Sequence, residues 1–362
     1  MPTKGQRKHA KVEDKAVTLF REYLRIKTVH PEPDYDGAIA FLEKMAKDIG
    51  LPSKVVEVHE GRKILIMTLV GKEPGLPTIL LNSHTDVVPV YPDMKCVGIQ
   101  YLEAIRKLKA KGLSFKRTIH LTFVPDEEIG GILGMKLFIK HEEFKKLNIG
   151  FALDEGVMVR CRGNPGHGSR FIENTAAEKL RKVINSFLDY RGMEEKKLKS
   201  TGCLTLGDVT TVNLTLLEGG VQFNVVPNEL SVGFDIRITP TQNLKEFEKK
   251  IKTWCKEAGT DVTYTFAQKN MDQTLTSTED SDQWWKAFHK ACSDMGMKLE
   301  KEIFPAATDS RFLREAGYPA IGFSPMNNTP ILLHDHNEFL NEDVFMKGID
   351  IYCGIIPAMA NA

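Results

Sequence analysis

The chain has 362 residues, 42% of them hydrophobic, and carries 49 Lys+Arg against 48 Asp+Glu. It is too long for one hydrophobic core and apolar enough to fill two, which excludes intrinsic disorder and makes two domains the expectation. Balanced charge, with a basic tract only at "KGQRKHAKVEDK", argues against nucleic acid and acidic membranes as partners.

The amino-terminal stretch has no apolar core of the signal-peptide kind, and no window reaches the roughly eighteen apolar residues of a membrane span, so a cytoplasmic protein is expected. Helical periodicity covers 15–26 and 36–49, strand-like runs follow in "VVEV", "KILIMTLV" and "TILLNS", and a further helix covers 94–110. Then come a strand "TIHLTFV", a helix near 130–142 and a strand "IGFALD". This alternation predicts an α/β domain with a mixed, largely parallel sheet flanked by helices. From 157 to 270 the pattern becomes strand "VMVRCRG", helix "AAEKLRKVINSFLDY", strands "TTVNLTLLEGG" and "ELSVGFDIRI", helix 244–257 and strand "VTYTFAQ". The order β-α-β-β-α-β is that of a ferredoxin-like insert. Residues 1–156 and 271–362 then form one domain and 157–270 a second. Helix 282–295, strand "EIFP", a short helix after Thr308, strand "AIGF" and a last helix near 342–358 complete the chain.

Three strands of the first domain end in polar clusters, His84-Thr85-Asp86, Asp126-Glu127-Glu128 and Asp154-Glu155. Ligands of such sheets bind just past the carboxyl ends of the strands. Together His84, Asp93, Glu128, Asp154 and His334 offer two imidazoles and three carboxylates, a set suited to zinc or a related first-row metal with positions open for water. Two metals sharing one carboxylate would use all five. Each residue also has a plainer reading: a lone histidine beside a strand is more often structural, "DEE" is a common solvated turn or helix cap, and Asp86 is a natural turn former. As a metal-site residue, Asp86 lies two positions past His84 and points the same way, which suits a carboxylate that fixes the histidine tautomer. Glu127 is the candidate to stay unligated and take a proton from a metal-activated water. The six cysteines are scattered without a C-x-x-C pair, which argues against both a disulfide framework and a thiolate zinc site, and no G-x-S-x-G elbow is present.

The motifs "LLNSHTDVVPV", "DMKCV", "FVPDEEIGG", "FALDEG", "GHGSRF", "LEGGVQFNVVPNELSVGFDIR", "PAATDSRF" and "LLHDHNEFL" together resemble the di-zinc amidohydrolase and carboxypeptidase family of aminoacylases, carnosinases and succinyl-diaminopimelate desuccinylases. They lie closest to its aminoacylase branch, from about residue 12 to the carboxyl end. The resemblance implies two Zn2+ per subunit, one held by His84 and Asp154, the other by Glu128 and His334, with Asp93 as the bridge. The resemblance also implies a zinc-peptidase-like fold for the first domain, and of the two histidines in "HDHNE" it points to His334, because ligands of that family precede a glutamate by four positions, here Glu338. The resemblance further implies Glu127 as general base, Asp86 as the acid that orients His84, and His167 as a donor reaching across a homodimer interface to the scissile carbonyl. Arg311 corresponds to a residue gripping the substrate carboxylate; Asn224 and Arg237 either line that pocket or are structural. The 157–270 insert becomes a lid and dimerisation domain, and the implied reaction is hydrolysis of small N-acyl-L-amino acids, such as N-acetylated aliphatic ones, to a carboxylate and the free L-amino acid.

Two connections are shorter than in that family. Only Tyr91 and Pro92 stand between Val90 and Asp93, where relatives carry a hairpin, and "VMVRCRGNPGHGSR" must supply both the crossing into the insert and its first strand. His84 and Asp93 are nine residues apart, a contour of up to about 30 Å, so one metal remains within reach of both. The alternatives are a metallo-exopeptidase with the same site, and a catalytically silent dimeric homologue or splice form that keeps the ligands without a formed pocket.

Overall fold

A computed structural model of the chain describes residues 13–87, 96–149, 157–266, 271–304, 308–330 and 339–362. The chain divides into two compact units, Met1–Leu153 with Thr276–Leu299 and Phe312–Ala362, and Asp154–Leu275 with Glu300–Arg311.

In the first unit, helices α1 (Lys15–Leu24) and α2 (Tyr35–Ile49) start where Asp14 and Asp34 accept the otherwise unpaired amides of Ala16 and Gly37. Each buries one apolar stripe, Ala16, Val17, Phe20 and Tyr23 on α1 and Ala38, Leu42, Met45 and Ile49 on α2. The hairpin β1 (Ser53–His59) and β2 (Arg62–Leu69) joins a four-stranded sheet with β3 (Ile79–His84) and β4 (Ile119–Val124), in the order β1-β2-β4-β3. The β3–β4 pair is parallel, and the crossover between the two strands carries α3 (Cys96–Ala110). β1–β2 and β2–β4 are antiparallel, so the described sheet is mixed. All six residues of β4 are buried, which is why "IHLTFV" reads as a continuous apolar run with two polar interruptions. Burying Ile119, Leu121 and Phe123 stabilises the sheet by about 1.5–3 kcal/mol each. Helix α3 lies close on the sheet: a Cβ at Gly98 would come within 2.8 Å of the Phe123 ring and 2.9 Å of Ser83 Oγ, so a larger side chain there would force the helix away from β3.

The helix expected near 130–142 is two short pieces, α4 (Met135–Phe138) and α5 (Glu142–Lys145). Gly130, Gly131 and Gly134 break its first turns. Of the strand "IGFALD", Ile149 forms a parallel bridge with Thr78 and the rest lies outside the described residues.

In the second unit β5 (Val157–Arg162), the short β6 (Gly166–His167), α6 (Ala176–Ser200), β7 (Thr211–Gly219), the short β8 (Val225–Val226), β9 (Glu229–Arg237), α7 (Leu244–Ala258) and β10 (Val262–Thr265) follow one another. The sheet order is β10-β5-β9-β7 with every pair antiparallel, the arrangement that β-α-β-β-α-β connectivity produces when both helices cover one face. That face holds Val159, Val232, Phe234 and Ile236 against Leu180, Val183, Phe247 and Ile251, with Phe187 stacked on Phe234 at 4.1 Å. β7 and β10 are the edge strands, and most of β7 is exposed.

The chain then supplies α8 (Gln283–Asp294), α9 (Ser310–Glu315), which runs from the second unit into the first, and α10 (Glu342–Ala360), which packs on α3 and α8. The expected strands "EIFP" and "AIGF" are corrected: residues 301–304 and 319–326 have no regular structure. Pro319 and Pro325 bracket the second segment, and prolines remove ladder donors. Among the described residues no helix is long and apolar enough to cross a membrane.

Candidate metal centre and active site

β3 and β4 run side by side in register, His84 opposite Val124, so both deliver their next residues to the same edge of the sheet. The β3 end carries His84 and Asp86. The β4 end turns sharply: Asp126 has φ 67, Glu127–Ile129 form one 3-10 turn, and Gly130 and Gly131 follow at φ 100 and 59. These two positions explain the double glycine of "DEEIGG", because the backbone there is left-handed and only glycine adopts it without strain.

Asp126 is not glycine, and its left-handed backbone costs roughly 1–2 kcal/mol. Its neighbours hold it in place. The Tyr35 hydroxyl donates to Asp126 Oδ1 and accepts the Asp126 N–H, both at 3.0 Å. Arg62 Nε lies 2.6 Å from the same Oδ1, and its guanidinium sits 5.4 Å over the Tyr35 ring. Burial, reinforced by the charges of Asp86 and Asp126, holds the Tyr35 phenol far above its usual pKa, so it remains protonated.

Asp86 is fully buried, and its carboxylate is hydrogen-bonded on both oxygens. Oδ1 accepts the Glu127 amide at 3.1 Å; Oδ2 accepts the Glu128 amide at 3.1 Å and His30 Nε2 at 3.0 Å. The expectation that this carboxylate fixes the His84 tautomer needs revision. His84 Nδ1 donates to the main-chain oxygen of Asp86 at 2.9 Å, while the nearer carboxylate oxygen is 3.8 Å away. The carboxylate is engaged by the turn instead. Because a carbonyl oxygen only accepts, Nδ1 carries the proton and the ring's lone pair is on Nε2, the form a metal ligand requires.

His84, Glu127 and Glu128 each offer one ligand atom, all within 4.8 Å of one another. One nitrogen and two carboxylate oxygens at that spacing fit a first-row divalent ion such as zinc, and the half-exposed setting leaves room for water. Both acids lie beside His84, so the geometry does not separate ligand from base. Asp93, Asp154 and His334 lie outside the described residues, as does the shortened connection at 90–93; of the second, "VMVRCRGNPGHGSR" is described, and its Val157–Arg162 forms strand β5.

The other candidates lie in the second unit. His167 pairs with Val225, and the Gly168 amide donates to Asn224 O at 2.7 Å, so His167 and Asn224 lie together at one short two-stranded antiparallel ladder, β6 with β8. The Ser169 amide donates to His167 Nδ1 at 3.3 Å, which places the proton of the neutral ring on Nε2. Arg237, at the end of β9, pairs with Asp235 at 2.8 Å. Arg311 is buried in the first turn of α9, beside buried Asp309. Sequence reasoning missed His30, Tyr35 and Arg62. Their local signal is weak: "VHPEPDYDG" reads as a proline-rich turn before a helix, and Arg62 as a hairpin residue.

Residues 80–358 match the profile of peptidase family M20/M25/M40. Aminoacylase-1 of Mus musculus is 52% identical over 392 aligned positions, covering 96% of each chain. Aminoacylase-1 of Homo sapiens is 50% identical with the same coverage, and that of Dictyostelium discoideum is 44% identical, covering 96% of this chain and 98% of its own. An alignment of 392 positions is longer than this chain of 362, so the mouse protein has at least thirty residues without a counterpart here. Among solved structures, an M20 family metallo-carboxypeptidase from Sulfolobus solfataricus superposes with a TM-score of 0.71 at 17% identity, covering 96% of this chain and 100% of its own, a likeness of fold.

Proposed function

Because the chain belongs to peptidase family M20/M25/M40, we propose that it is a metal-dependent amidohydrolase cleaving N-acyl-L-amino acids to a carboxylate and a free L-amino acid. One observation carries the reading: in a chain half identical to aminoacylases along nearly its whole length, His84, Glu127 and Glu128 converge at one sheet edge.

His84 with Asp154, and Glu128 with His334, would each hold a zinc ion, with Asp93 between them. Zinc bound there polarises the scissile carbonyl and acidifies water. Glu127 takes the proton of the attacking water as its oxygen bonds to the acyl carbon, then gives that proton to the amine nitrogen as the C–N bond breaks. The Asp86 bonds to both amides fix where the two acids project. His167, with its proton on Nε2, is the donor to the oxyanion, and Arg311 grips the α-carboxylate through its forked N–H groups. Asn224, next to His167, and Arg237 complete the pocket.

His167 acts from the partner subunit of a homodimer, the second unit serving as lid and dimerisation domain. Support comes from the exposed edge of β7 together with exposed Leu217, Val221 and Phe223, and Phe171 four residues past His167. An uncovered strand edge flanked by large apolar side chains is an association surface. The six cysteines are free thiols, four of them buried, which supports a reducing, cytoplasmic setting.

The thirty or more missing positions favour one second reading, a folded, zinc-binding but inactive form. The decisive experiment measures zinc per subunit and methionine released from N-acetylmethionine, with and without chelator. Zinc-dependent turnover is expected. Stoichiometric zinc without turnover selects the inactive form, and a folded protein without zinc overturns the site.

A further inference from the structure

The Asp86 carboxylate is a junction. Two of its donors are the main-chain amides of Glu127 and Glu128, and a third comes from a side chain 56 residues earlier, His30. A carboxylate removed from water persists only where N–H donors replace its hydration, so each donor sets where it lies. His30 is itself delivered by main-chain pairing to the segment that carries Asp86. The His30 amide donates to Val87 O at 3.3 Å, the Val87 amide donates to Thr28 O at 3.1 Å, and Val29 bridges Val87 in parallel. The loop bearing His30 is closed by the Asp34 amide on Lys27 O at 2.8 Å, just before α2 begins. A continuous path therefore runs from the 28–30 segment through the imidazole to Asp86, and from Asp86 to both acids.

We propose that His30 is a positioning residue that acts through Asp86 on Glu127 and Glu128. It touches neither substrate nor metal. Its Nε2–H holds Oδ2 at the point where that oxygen also receives the Glu128 amide, and so sets the tilt of the carboxylate and the reach of the turn. The role rests on the proposed hydrolase reading for its catalytic meaning, but the metal-binding consequence can be read separately.

The geometry makes the chemistry of the replacement decisive. Glutamine at this position can place an N–H where Nε2 lies; asparagine can place one only near Nδ1, and leucine offers none. In the full-length zinc-loaded protein, His30→Leu and His30→Asn should each lower kcat about tenfold or more with KM changed less than about threefold, the size expected for one hydrogen bond to a charged group. His30→Gln should recover most of the loss. Zinc affinity, measured by competition with a chromophoric chelator, should weaken in the same order, because Glu128 lies on the displaced turn. The proposal is overturned if His30→Asn matches His30→Gln in both readouts, or if both keep wild-type kcat and zinc affinity. Should His30→Leu fail to fold, the asparagine and glutamine pair still decides. An inactive wild-type chain would sink the hydrolase reading and leave the zinc measurement to test His30.

Discussion

Replacing Asp86 by asparagine keeps the shape of the side chain and changes its hydrogen bonding. The native carboxylate presents acceptors to three N–H donors, Glu127 N, Glu128 N and His30 Nε2, from a fully buried position. The carboxamide has one oxygen. If it faces Glu128 and His30, its NH2 meets the Glu127 amide donor to donor; if it faces Glu127, two donors are stranded. In the better orientation one charge-assisted bond is lost, about 1.5–3 kcal/mol, and a buried donor goes unsatisfied, about 1–3 kcal/mol. A destabilisation of about 2.5–6 kcal/mol follows, a large fraction of the roughly 5–15 kcal/mol available to a folded domain. Urea unfolding followed by circular dichroism should show a midpoint lowered by about 1 M or more. Turnover of N-acetylmethionine by the remaining folded enzyme should fall at least about tenfold, since the Glu127 amide has lost its anchor. An Asp86→Asn variant with the wild-type urea midpoint and kcat refutes the junction and the role of Asp86 in it.

Glu127→Ala should retain zinc while turnover drops by about 10²–10⁴, the share typical of a general base; an active variant means the base has been misassigned. His120, buried on β4 with Nδ1 3.0 Å from Thr68 Oγ1, has its pKa lowered to about 4 by burial. The unfolded chain therefore takes up this proton first, and the contribution of His120 to stability is lost as pH falls from about 6.5 towards 4, about 2 kcal/mol of it by pH 5. His120→Asn should flatten the change in unfolding free energy between pH 7 and pH 5 by that amount, and an unaltered slope in the variant contradicts it. Leu217→Lys, on exposed edge strand β7, should shift the protein to monomer in sedimentation and abolish turnover; a fully active monomer rules out His167 acting from a partner.

Much of the molecule was legible in the chain itself. Alternation of period-2 and period-3.6 apolar runs located β1 to β4, both helices of the second unit and its β-α-β-β-α-β order, because these patterns depend on neighbours along the chain. Polar residues at and just past the ends of β3 and β4 marked His84, Asp86, Glu127 and Glu128, since parallel neighbouring strands end at one edge. "EIFP" and "AIGF" misled for the complementary reason: a short apolar run is a strand only if a partner strand is there to bond it.

Residue types and spacing thus determined which groups stand at the strand ends and what metal chemistry they suit. Only the tertiary structure decided whom each group bonds. It turned the Asp86 carboxylate from His84 to the amides of the acid turn, and gave the His84 proton to a main-chain oxygen. It also brought Tyr35 and Arg62 to a left-handed Asp126, and His30 to Asp86. Those partners are separated by dozens of residues, and a hydrogen bond is set by distance and direction in space, which local periodicity does not encode.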